Sequence, residues 1–204
     1  MRALGNTIYL GLGLVKPNAG DRWITSLLSI ASFCLGSAFF SRFHRYFTPR
    51  RRWVLVASFT LQTLLILGSA FIVNFGPDAT NGLHWQVLVP LAAVAFQASG
   101  SAVTSRVMEY NGMTSVVLTS TYCDLFSDPD LFTLSIFNDA ARNRKLVAPL
   151  LLLLGAFLGG VFANSDFGLQ GALFTAAILK AIVIGAWLLW SAEQTEEDDN
   201  DDED

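Results

Sequence analysis

One lysine, two short runs of hydroxyl and amide side chains, and a cluster of arginines are the residues of this sequence whose types and spacing could do chemistry. Lys180 interrupts the apolar run Leu169 to Trp190 near its middle. An ionised side chain at the centre of a hydrocarbon layer costs about 2.5 to 3.5 kcal/mol on insertion scales, so such a residue points to a ligand, a counter-ion or a polar cavity. Asp124 and Glu109 are the carboxylates that could pair with it. The plainer reading is a lysine whose stem lies along the helix while its head seeks a polar neighbour. Asn6 and Thr7 form one polar motif, and Thr119, Ser120, Thr121 and Asp124 form another. Broken helices free carbonyls and helix termini to bind a solute when they line a cavity. The same residue types also cap helices and bond to local backbone everywhere, which is the competing account.

Arg45, Arg50, Arg51 and Arg52 interleave with aromatic residues in RFHRYFTPRRRW, a pattern suited to anionic lipid headgroups at about 1 kcal/mol per basic residue. Nucleic acid is not implied, because the tendency of basic residues to stay on the cytoplasmic side of a membrane already explains such a loop. Gly155 and Gly159 form a GxxxG pair in an apolar run, which suits close helix packing within the chain or between copies of it. Gln62, Asn74 and Gln97 are expected to hydrogen-bond between helices. HExxH, GxSxG and phosphate-loop patterns are absent, and the two histidines, His44 and His84, stand in or near loops. Cys34 and Cys123 lack a metal-type spacing. The sequence therefore implies no enzyme, no catalytic residue, no metal and no cofactor.

The elements that must position these residues are apolar. Of 204 residues, 52% are hydrophobic and 15% charged, and the mean hydropathy is +0.46. That surplus calls for lipid. Five runs approach the roughly 20 apolar residues that a hydrocarbon core about 30 Å thick requires: Trp23 to Phe40, Trp53 to Phe75, Trp85 to Val103, Leu146 to Ala163 and Leu169 to Trp190. They are too long for strands and lack a period of two, and lipid leaves helix as the form that satisfies their backbone. Trp residues stand at an end of four of them, where an interface favours the indole.

Basic residues set the topology. The segment after the first run carries Arg42, Arg45, Arg50, Arg51 and Arg52, whereas Gly76 to His84 carries no Lys or Arg. The first is thus expected in the cytoplasm, joined by Arg106, by Arg142, Arg144 and Lys145, and by the C-terminus, with Lys16 and Arg22 outside. The plasma membrane is the expected location. The last twelve positions hold nine of the seventeen acidic residues, which marks 193–204 as a disordered acidic tail on a single transmembrane domain, 1–192. Leu4 to Val15 and Met113 to Phe126 are apolar but short, and each precedes two long runs. Halves 1–84 and 85–192, related by inversion, are the organisation this suggests, one common among transporters. The N-terminus has no convincing small-x-small cleavage site and is expected to stay.

The segments GNTIYLGLGL at Gly5 to Leu14, RRRWVL at Arg50 to Leu55, LTSTYCDL at Leu118 to Leu125 and NRKLVAPLLLLLGAFLGG at Asn143 to Gly160 resemble the YoaK-like membrane proteins, a family of unknown function. The resemblance spans nearly the whole chain. It places the family's first motif on Gly5, Asn6 and Thr7, with Leu4 where the family usually has Thr, and its TGT-x-x-D-L motif on Thr119, Ser120, Thr121, Asp124 and Leu125, with Ser120 in place of Gly. It also implies a further helix ahead of the first motif, so that most of a first span is expected to be missing.

The expected fold is all-α: a polytopic transmembrane helix bundle with five full spans and an incomplete N-terminal segment. The expected function is transport of a small polar or ionic solute. The rival is a membrane scaffold that packs against a partner or a second copy of itself.

Overall fold

The structure, a computed structural model, describes residues 2–17, 20–47, 52–76, 83–108, 127 and 140–189. They form helices α1 (Arg2–Val15), α2 (Arg22–Tyr46), α3 (Arg52–Phe75), α4 (Trp85–Val107), α5 (Ala140–Ala163) and α6 (Gly168–Leu189), with no strand among the described residues. The helices α2, α3, α4 and α6 are long and apolar enough to cross a membrane. In α5 the apolar part is Val147–Ala163. The 14 residues of α1 reach about 21 Å at 1.5 Å per residue, short of a full crossing. The expected incomplete segment is thus an unbroken helix over its length.

Three helices run past their apolar runs. The second continues from Phe40 to Tyr46, the fourth from Val103 to Val107, and the fifth starts at Ala140, ahead of Leu146. Hydropathy marks where lipid contact ends, whereas the backbone hydrogen bonds of a helix continue until the sequence breaks them. Between α5 and α6 the chain turns within Asn164 to Phe167. The Asn164 side chain donates to the Gly160 carbonyl at 2.9 Å, and Gly168 takes φ +55°, a conformation that costs glycine little.

Helix α2 packs on α4, α4 on α3, α3 on α6, α6 on α5, and α1 on α2. Contacts fix their directions. Gly36 meets Phe96 and His44 meets Thr104, so α2 and α4 run parallel. Along α3 and α6, Phe71 meets Phe174, Gln62 meets Lys180 and Arg52 meets Trp187, so these run antiparallel. The Arg42 and Arg45 end of α2, the Arg52 end of α3 and the Arg106 end of α4 accordingly collect at one end of the bundle.

Inside, the bundle mixes polar side chains with Phe40, Val54, Leu55 and Ile66; outside it is apolar. Ser58, Gln62, Ser69, Ser99, Thr104 and His44 are among its most buried side chains. Leu150, Leu153 and Phe157 on α5 are 63, 68 and 66% exposed, and Ile178 and Ile182 on α6 are each 61% exposed. Water would leave this apolar surface unpaired, whereas a hydrocarbon solvent matches it. These several apolar helices are compatible with a multi-pass membrane protein, as the composition implies.

Candidate functional site

The site begins on α3, where Ser58 and Gln62 stand one turn apart on the same face. Gln62 is fully buried, and its Nε2 donates to Ser58 Oγ at 3.2 Å. A neighbouring stretch of α4, ASGSAVTS, supplies small and hydroxyl side chains. Its Gly100 lets the α4 backbone come close enough that an added Cβ would stand 2.8 Å from both Gln62 Nε2 and the Phe40 ring. Ser101, next along α4, donates from Oγ to Gln62 Oε1 at 2.8 Å.

Helix α6 completes the cluster. Lys180 Nζ donates to Gln62 Oε1 and, at 2.9 Å, to Ser101 Oγ, while the Phe59 ring centroid lies 5.7 Å away. Two contacts hold the register of α6 on α3. Phe71 meets Phe174 edge to face at 5.7 Å on one side, and Arg52 Nε donates to the Trp187 carbonyl on the other. Lys180 lies between them, about 18 Å from the start of α6 at 1.5 Å per residue, near the middle of the span. No Asp or Glu occurs anywhere in the six helices. Among the described residues the partners of the ammonium are therefore dipoles and a ring face, and none is a carboxylate.

A second polar contact joins α2 to α4. Thr104 Oγ1 donates to the Gly100 carbonyl at 2.9 Å and lies 3.3 Å from His44 Nε2. One hydroxyl has one proton to give, so Nε2 is the donor of this pair. Nδ1 of His44 and Oε1 of Gln97 are buried with no partner among the described residues. The sequence places His44 in or near a loop; in the structure it sits in the last turn of α2, 1% exposed. Continuation of α2 beyond Phe40 carries it onto α4.

Of the residues expected to bind a solute, Lys180 enters the cluster. Asn6 donates from Nδ2 to Ser29 Oγ at 3.2 Å, in the separate contact of α1 with α2, and Thr7 is exposed on α1. Thr119, Thr121 and Asp124 lie outside the described residues, as do Arg50, Arg51 and Glu109. Arg45 is exposed, with Nη2 at 3.5 Å from Ser41 Oγ, and Arg42 and Arg45 border a groove along α2 lined by Leu35, Phe39 and Phe43. An added Cβ on Gly155 or Gly159 would meet no described atom within 4 Å. Gln62 bonds between helices as expected. Ser58, Phe59, Ser101 and Thr104 carry no signal in the sequence that sets them apart from the other serines, threonines and phenylalanines of the helices.

The chain belongs to the family described as Protein of unknown function (DUF1275), whose model matches residues 5–186. No curated protein and no solved structure matches it.

Proposed function

We propose that this member of the DUF1275 family is a non-enzymatic, small transporter of a polar or ionic solute, with Lys180, Gln62 and Ser101 at its binding site. One observation carries the reading: a lysine at mid-span that donates to side chains of two other helices, without a carboxylate on any of the six. A charge in that position is retained at a cost, and a solute that uses it is the ordinary reason. Gln62 belongs to residues 1–84 and Ser101 and Lys180 to 85–192, so the cluster lies on the seam between the suggested halves, where transporter sites form. The TGN-like and TGT-like motifs at Asn6, Thr7, Thr119, Thr121 and Asp124 and the YoaK-like likeness are parts of the same reading. So are a plasma-membrane location, a cytoplasmic Arg-rich end and lipid headgroup contact through Arg45, Arg50, Arg51 and Arg52.

The scaffold reading rests on a different observation: Lys180, Gln62, Ser101 and Ser58 hydrogen-bond to one another, as a closed structural network would. In that case Gly155 and Gly159, open on α5, would receive a second copy. Accessibility separates the two. Cys34 and Cys123 are replaced by Ser, and Gln62→Cys and Ser101→Cys are probed in membranes with small water-soluble thiol reagents. Transport predicts labelling at both positions, slowed by solute once one is found. No labelling in correctly inserted protein favours the scaffold.

A further inference from the structure

We infer that the Lys180 cluster binds a small monovalent anion, which takes the place of the Gln62 carbonyl oxygen as acceptor for the ammonium. This deepens the transport reading and rests on it. An ammonium has three N–H donors and no acceptor. Two of them engage neutral oxygens, on Gln62 and Ser101, and the Phe59 face offers the charge a quadrupole and no hydrogen-bond acceptor. Among the described residues, the cluster thus carries one formal positive charge that dipoles alone balance.

The chemistry of the partners selects the ligand. A cation would meet the ammonium field at close range in a low dielectric, whereas an anion supplies the counter-charge that the six helices lack. One lysine matches one negative charge; Gln62, Ser58 and Ser101 add neutral N–H and O–H donors and no second cation. Ser101 can redirect its proton, because its hydroxyl now donates to Gln62 Oε1 and can turn to donate to an anion instead. Gln62 can present its Nε2 group after rotation of its amide. Gly100 and the Phe40 ring crowd this amide, which favours compact anions. Arg42, Arg45, Arg52 and Arg106 gather at one end of the bundle and favour anions there. Asp21 and Asp166 stand in turns at the opposite end.

The test is thermal unfolding of the full purified chain in detergent with sodium acetate, nitrate or chloride. Sodium gluconate at matched ionic strength is the large-anion control, choline chloride varies the cation, and sorbitol is the neutral solute. The expected result is a saturable rise in Tm, about 3 to 6 °C at ten times the Kd, set by the small anion and independent of the cation. Lys180→Gln abolishes it and Lys180→Arg retains part of it. Gln62→Glu places a carboxylate beside the ammonium, so it raises Tm without added anion and removes the anion response; with Lys180→Arg it carries the test if Lys180→Gln does not fold. A rise of equal size in wild type and Lys180→Gln overturns the inference. A Lys180-dependent response to sorbitol or to a cation overturns the anion and leaves the solute site standing. No response to any solute overturns the anion too, and labelling of Ser101→Cys then decides whether the site itself falls with it.

Discussion

The seam among α2, α3, α4 and α6 and the face of α5 are both built from helix, yet they solve opposite problems. At the seam, glycines bring backbones together and polar side chains bond across: Gly36 abuts Phe96, Gly100 abuts Gln62, and Lys180 reaches Gln62 and Ser101. On α5, leucines point outward and glycines stand open, with the main described packing made against α6. In a hydrocarbon solvent apolar contact gives no advantage over lipid, so helices join where small residues and hydrogen bonds occur. The same element type therefore becomes core or surface according to its small and polar residues. Its hydrophobicity does not decide the matter.

Substitutions can break this contrast in order of size. Gly36→Leu should have the largest effect. Even one added carbon there stands 2.7 Å from the Phe96 carbonyl oxygen and 3.1 Å from its Cα, so a leucine must part α2 from α4. We expect a loss of about 3 kcal/mol or more, read as failure to recover monodisperse protein or as a large drop in unfolding midpoint. Leu153→Lys on the open face of α5 should cost about 2.5 to 3.5 kcal/mol in a membrane-insertion assay. An unchanged insertion efficiency would mean that this face does not meet lipid. Gln62→Leu leaves the ammonium of Lys180 without its amide acceptor and should cost about 1 to 3 kcal/mol in reversible unfolding in detergent. At the small end, Gly155→Ala adds a carbon where no described atom lies within 4 Å and improves helix propensity. The propensity gain is about 1 kcal/mol, and a loss of stability instead would show that a partner, in the chain or in a second copy, covers α5.

Much of this architecture was legible in the residues. Length and apolarity mark the runs that become α2, α3, α4, α5 and α6, since lipid admits little else, and the Asn164 to Gly168 turn is evident from its polar and glycine residues. Helix ends were less so, because Ser41 to Tyr46 and Ala140 to Lys145 are polar enough to look like loop while remaining helical. In the site, Lys180 declares itself by being a charge among apolar neighbours. Its partners do not, because Ser58, Gln62 and Ser101 are neutral side chains of kinds that recur along α2, α3 and α4. Only the packing of α3 between α4 and α6 picks these three out. Pairing in space also explains His44, whose neighbour Thr104 is sixty residues away.

The central claim is that Lys180 and Gln62 are one unit linking α6 to α3. A double-mutant cycle tests it most directly: unfolding free energies in detergent for wild type, Lys180→Met, Gln62→Leu and the double variant. If the pair is coupled, each single change strands a buried polar partner, and the double variant loses less than the sum by about 0.5 kcal/mol or more. Strict additivity, with both singles near wild type, would contradict the account and leave Lys180 a charge without a place in the bundle.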